Sequence, residues 1–190
     1  RQRQMCIRDS GGDGHRLNNY AKNKKTLTGR ATNIAMAMAL ASSEVNASMG
    51  KIVACPTAGS CGILPAVILA AGEVLELSED EMINGLLAAS AVGMIIGMNA
   101  TLSGAEGGCQ AECGSASAMG AAAVVELMGG CLLYTSDAAD IILQNVLGLV
   151  CDPVAGLVEI PCAKRNAQGA ITALCTADMA VSYTHLTLPT

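Results

Sequence analysis

Residues 99–114, NATLSGAEGGCQAECG, put Glu106, Cys109, Gln110, Glu112 and Cys113 within two or three helical turns. Gly104, Gly107 and Gly108 lie among them, and glycine lets something other than a side chain rest against the backbone. A thiol beside carboxylates in that setting points to chemistry rather than packing. Two more thiols sit beside proline or a helix end: Cys151 precedes Asp152-Pro153, and Cys162 follows Pro161. Three cysteines gathered from distant segments suit an iron–sulfur cluster with one iron left open, or a zinc site, and spacing alone leaves both open. Separate buried thiols are the plainer alternative, because cysteine is among the most buried residue types.

A second unusual stretch, IVACPTAGSCG at 52–62, crowds Thr57, Gly59, Ser60 and Gly62 just ahead of a helix. The first N–H groups of a helix have no intrahelical partner, so this turn either receives an anion or simply caps the helix. His15 lies in a polar segment with no paired carboxylate nearby and reads as a solvated histidine.

Three segments do not belong to the reading. One DNA string, TGTCTCTTATACACATCTGACGCTGCCGACG, encodes residues 131–140 (CLLYTSDAAD) in one frame and residues 181–190 (VSYTHLTLPT) in the next. Residues 1–10, RQRQMCIRDS, follow from its reverse strand. All three resemble translated sequencing-library adapter and are set aside as non-native, as a tag would be. A single helical domain over 11–180 remains, interrupted at 131–140, and the natural protein is expected to extend beyond both ends. The middle segment is expected in a surface connection. Core packing of Ala138 and Ala139 would instead mean that a native helical stretch has been replaced in frame.

The formal net charge of −5 makes nucleic acid a poor partner. There is no Trp or Phe, and the apolar mass is Ala, Leu, Ile, Val and Met with many glycines. Such a composition packs helices closely through small side chains. The apolar runs 85–98 and 116–128 fall short of a bilayer span, so buried helices rather than membrane segments are expected there. Of the nine cysteines, Cys6 and Cys131 fall in the adapter-like segments. The odd number left, without the composition of a small secreted domain, argues against a disulfide framework and for a reducing cytoplasm.

The elements that must position these groups are helices. Ile34, Met38, Ala41, Val45 and Met49 recur at helical spacing, with Gly50 expected to stop that helix at C′. A helix over 63–77 tolerates Pro65 in its first turn. Ser78 and Glu81 form a capping box that opens a helix to about Met98, whose Gly85, Gly93 and Gly97 predict close approach by a neighbour. A small-residue helix over 116–128 ends at Gly129 and Gly130, and further helices cover 141–149 and 167–180, the last with Cys175 buried beside Ile171 and Leu174. No alternating pattern marks strands, so the fold class is all-α: a compact bundle of helices packed through small residues.

At these residues the chain resembles a known family. KIVACPTAGSCGILPAV (51–67), NATLSGAEGGCQAECGSASAMGAAA (99–123) and GLVCDPVAGLVEIPCAKRNAQGA (148–170) are similar to the α subunit, or α domain, of iron–sulfur-dependent L-serine dehydratases. The resemblance implies a helical catalytic domain with a [4Fe–4S] cluster held by Cys109, Cys151 and Cys162, converting L-serine to pyruvate and ammonia. It leaves Cys55, Cys61, Cys113 and Cys175 outside the ligand set, Cys113 being the nearest competitor at one turn from Cys109. By the same resemblance Thr57, Ser60 and Asn99 are substrate contacts. Arg165 either binds the substrate carboxylate or makes a helix-end salt bridge. Ser103 and Glu106 are the candidates for positioning substrate and removing its Cα proton, with Glu112 close by. A β domain or subunit, and an oligomer, are the implied partners. Two other readings share these residues: a cysteine desulfidase, in which the open iron binds a thiol, and a non-catalytic helical subunit carrying zinc or an electron-transfer cluster. Full ligation by a fourth cysteine such as Cys113 supports the last.

Overall fold

A computed structural model describes residues 11–156 and 159–182. The first adapter-like segment, and all but two residues of the last, lie outside the described residues. Among the described residues there are seven helices and no strand: α1 Asp13–Asn23, α2 Arg30–Ala47, α3 Ile63–Leu75, α4 Glu79–Asn99, α5 Gly104–Leu127, α6 Leu132–Asn145 and α7 Glu159–Val181. The expected all-α class is the one observed.

Local chemistry sets the helix ends. The Ser78 N–H donates to Glu81 Oε2 at 2.8 Å and the Glu81 N–H donates to Ser78 Oγ at 3.3 Å, so the capping box that opens α4 is complete. At the end of α2 the Met49 N–H donates to the Asn46 carbonyl and the Gly50 N–H to the Val45 carbonyl, the paired bonds of a Schellman turn. The left-handed residue there is Met49, with φ 62°, so the expected stop falls one residue early and Gly50 stands at C″.

Helix α5 is the axis of the fold, packed by α3, α4, α6 and α7. Every residue from Cys113 to Val125 is buried. The surrounding core is built of alanines, including Ala35, Ala39, Ala66, Ala70, Ala116, Ala121, Ala170, Ala173 and Ala177. Small residues let the helices approach one another closely: a Cβ added at Gly169 of α7 would lie 2.5 Å from Ser117 Oγ of α5, and one at Gly62 would lie 2.5 Å from the Ala39 carbonyl of α2. The predicted small-residue packing is therefore the packing found.

Five expectations are corrected. Helix α4 is not buried: Ile83, Leu86, Leu87, Met94, Ile95 and Met98 are exposed, and by length and composition alone Glu79–Asn99 could cross a membrane. Gly85 and Gly93 do receive close neighbours, the side chains of Leu127 and Met119, whereas Gly97 meets only Leu102 at 3.4 Å. Residues 132–140 do not form a surface connection but the greater part of α6, with Thr135, Ala138 and Ala139 buried. That is the outcome tied above to in-frame replacement of a helical stretch. Helix α7 begins at Glu159, ahead of the expected 167, so Cys162, Arg165 and Asn166 lie within its first two turns. Its buried stripe runs Ala163, Ala170, Ala173, Ala177 and Ala180, and Cys175, two residues past Ala173 and so on the opposite side, is exposed rather than buried.

Ala121→Leu, at a fully buried position of α5, should cost about 1–3 kcal/mol through overpacking. Leu87→Ala, on the exposed face of α4, should stay within about 0.5 kcal/mol, with both read from urea unfolding midpoints.

Candidate active site

Gly108 interrupts α5 after its first turn, with φ 75° and ψ −172°, a conformation essentially reserved for glycine. Its missing side chain is also a seat. A Cβ there would lie 3.0 Å from the Leu149 carbonyl oxygen, 3.1 Å from Val150 Cα and 3.4 Å from the Cys151 nitrogen. The next residue, Cys109, opens the long segment of α5 with a buried thiol. Gln110 then holds the loop in place: its N–H donates to the Leu149 carbonyl at 2.8 Å, and its Oε1 accepts from the Gly148 N–H at 2.8 Å. The backbone that carries the exposed Cys151 is thereby fixed to the turn that carries Cys109.

The third cysteine arrives on α7. Asn166, 1% exposed, donates from Nδ2 to the Gly59 carbonyl at 2.7 Å and to the Cys162 carbonyl at 2.8 Å, and its Oδ1 accepts from the Gly62 N–H at 2.9 Å. One buried amide thus ties the first turns of α7 to the turn that opens α3. The neighbouring Arg165 closes the arrangement. Its Nη1 donates to Cys109 Sγ at 2.8 Å, and its Nη2 pairs with Asp152, next to Cys151. Arg165 is mostly buried, which strengthens both contacts relative to an exposed pair.

The thiols share one electrostatic neighbourhood. Burial pushes Cys109 up, opposed by the hydrogen bond and charge of Arg165, while the charges of Cys151 and Glu112 push it further. Cys162 is pushed up to about 11 by burial, then by Cys109, Glu112 and Cys151. Cys113 is pushed up further still, chiefly by burial within the helical core, and it feels Cys109 and Cys162 as well. Cys109, Cys151 and Cys162 thus lie within electrostatic reach of one another, and Cys113 within reach of Cys109 and Cys162. None of the four is in a disulfide. Among the described residues no group of three or more His, Cys, Asp or Glu side chains converges closely enough to hold a single metal ion.

The other predicted residues divide into two groups. Thr57 and Ser60 stand on the turn tied down by Asn166, their hydroxyls 3.0 Å apart, and Ser60 is fully buried. Thr57 Oγ1 donates to Glu112 at 2.5 Å, so this carboxylate belongs to the thiol neighbourhood. Asn99, Ser103 and Glu106 lie instead where α4 ends and α5 begins. Asn99 is exposed and donates to the Ile95 carbonyl, Glu106 is exposed and accepts from Thr101 Oγ1 at 2.6 Å, and the Ser103 N–H donates to Thr101 Oγ1. A cavity of about 960 Å³ lies elsewhere, beside α1 and α2; His15 lines it, exposed and paired with Asn19, and none of the thiols does. The sequence marked Gly108 as a place where something rests against the backbone, without showing that it is the Leu149–Cys151 segment, and it gave no sign of the ties made by Gln110 and Asn166. Both ties are long-range side-chain contacts to loop backbone and carry no local signal.

Fold and site together define an all-helical domain that gathers three thiols and one guanidinium where α5, α7 and two loops meet. Residues 3–187 match the family described as serine dehydratase alpha chain, and the chain belongs to that family. It is 52% identical over 178 residues to the L-serine dehydratase alpha chain of Peptoniphilus asaccharolyticus, covering 94% of this chain and 61% of that one. It is 47% identical over 147 residues to an L-serine dehydratase of Escherichia coli, covering 77% of this chain and 32% of that one. An L-serine dehydratase of Streptomyces coelicolor is 46% identical over 144 residues, with 75% and 32% covered. The chain thus spans about three-fifths of the first relative and a third of the other two.

Gly108→Ala should cost about 1–3 kcal/mol, because alanine meets both the forbidden torsion and the Leu149–Cys151 backbone. Hydrogen exchange at the Gln110 amide should speed up with it, reporting release of the loop. The raised thiols make a second expectation for the metal-free chain. A thiol whose pKa is raised by folding adds stability that is complete below its ordinary value of 9.0 and is lost as pH rises through the folded value. With Cys55 and Cys162 at about 11, the unfolding midpoint should fall progressively between about pH 9 and pH 11. A flat profile over that range would contradict the burial of these thiols.

Proposed function

We propose that this chain is the cluster-bearing part of an enzyme that converts L-serine to pyruvate and ammonia, with Cys109, Cys151 and Cys162 as the three protein ligands of a [4Fe–4S] cluster. The observation that carries the reading is the docking of the Cys151 loop against Gly108, next to Cys109 in the chain, with Arg165 of α7 bonded to Cys109 and Cys162 within electrostatic reach of Cys109 and Cys151. The donor set suits the group in its chemistry: three soft thiols from three segments, none of them in a disulfide. When bound, such a cluster with one open iron supplies a Lewis acid for the substrate hydroxyl and carboxylate.

The residues of the chain supply the rest. The Arg165 guanidinium, engaged with Asp152 at Nη2 and with Cys109 at Nη1, keeps further N–H donors for a substrate carboxylate, which a guanidinium matches better than a lysine does. Elimination needs the Cα proton to go to a base while the Cβ–O bond breaks and hydroxide leaves. The aminoacrylate so formed tautomerises to an imine, and water converts that to pyruvate and ammonia, returning the water lost. Ser103 is the N-cap residue of α5 and Glu106 lies in its first turn, and in this reading they serve the substrate entrance rather than contact the thiols. The 2.5 Å Thr57–Glu112 bond supports Thr57 and Ser60 as the substrate-facing wall. The alpha-chain names of the family and of the first relative support a β chain or domain completing the site. We further propose a reducing cytoplasmic setting, supported by the absence of disulfides among the described cysteines.

Anaerobic reconstitution should load about four irons per chain, and L-serine should perturb the absorption and EPR spectra. Cys109→Ala should lose the iron. Zinc uptake instead, or iron uptake indifferent to Cys109→Ala, would overturn the ligand assignment.

A further inference from the structure

Glu112 sits half-buried one turn past Cys109, its carboxylate enclosed by two glycines. A Cβ at Gly59 would lie 2.5–2.7 Å from its carboxylate atoms, and a Cβ at Gly104 would lie 2.6 Å from Oε2. A side chain at either position would collide with the carboxylate. That carboxylate accepts one hydrogen bond, from Thr57 Oγ1 at 2.5 Å, although a carboxylate offers about four acceptor sites. The ion pairs among the described residues are Arg16–Asp13, Arg30–Glu73 and Arg165–Asp152, so Glu112 has no cation of its own. Its charge instead falls on Cys61, Cys109, Cys113 and Cys162.

An anion beside thiols that must ionise to bind metal works against ligation, so its placement answers to something else. The other carboxylates near the site are engaged: Asp152 holds Arg165, and Glu106 is exposed and bonded to Thr101. A 2-amino-3-hydroxy acid brings three polar groups. Its hydroxyl and carboxylate have partners in the reading given above, and its ammonium has none. We infer that Glu112, oriented by Thr57, receives the ammonium group of the substrate and makes the site selective for amino acids over the corresponding hydroxy acids. This rests on the dehydratase reading and assigns within it the one substrate group left unmatched. Gly59 and Gly104 are small so that the carboxylate can reach its place, and Thr57 takes up Oε1, leaving Oε2 without a hydrogen-bond partner among the described residues.

The test uses Glu112→Gln in the full chain, since glutamine keeps the size of the side chain and an acceptor for Thr57 while removing the charge. Wild type and variant are reconstituted with iron, assayed for iron content and thermal midpoint, and titrated by cluster absorption with L-serine and with 3-hydroxypropanoate, which lacks only the amino group. E112Q should hold the same iron as wild type and melt within about two degrees of it. It should bind 3-hydroxypropanoate as wild type does and L-serine at least about tenfold more weakly, the size expected for a lost charged hydrogen bond. Unchanged L-serine affinity, or an equal loss for both ligands, overturns the inference while leaving the dehydratase reading standing. Failure of the wild type to take up iron overturns that reading, and the inference with it.

Discussion

Helix α5 can be surrounded by four other helices only because almost nothing on its surface is larger than a valine. Between Cys113 and Val125 the sequence is CGSASAMGAAAVV, and Met119 is its only long side chain. Each alanine buries little area, at about 25 cal/mol per Å², so stability has to come from many contacts at short range. The same condition makes the centre intolerant of added volume, and that intolerance is useful. Helices fixed this closely cannot slide, so the residues at the N-terminal end of α5 are held against α7 and α3 without a large hydrophobic core.

At that end packing gives way to polar ties. Asn166, Gln110 and Arg165 each join segments far apart in the chain, and each does so through groups that would be costly to bury unpaired. Asn166 fixes the turn before α3 to α7, Gln110 fixes the Cys151 loop to α5, and Arg165 joins both to Cys109. Three side chains thus determine where three thiols stand.

Much of this was legible beforehand. The capping box of α4 could be read because its partners are three residues apart, and the small-residue packing because composition alone demands it. The start of α7 at Glu159 rather than 167 puts Pro161 in its first turn, where proline is tolerated because its missing N–H has no acceptor there. The exposure of α4 could not be read, since an apolar run says nothing of what lies against it. Glu106 and Glu112 could not be ranked by spacing. The torsion at Gly108 resets the helical phase between them, so counting turns across it fails, and only Glu112 reaches the thiols.

That torsion has an electrostatic consequence as well as a steric one. Breaking α5 at Gly108 creates a second helix N-terminus in the middle of the element, with Cys109 as its first residue. The aligned peptide dipoles of the long segment place roughly half a positive charge at that end. Together with the Arg165 guanidinium, this field favours an anionic sulfur at Cys109 and opposes the burial that holds the thiol protonated. A single glycine therefore acts as a local polariser: it makes room for one thiol and tilts the ionisation of the next.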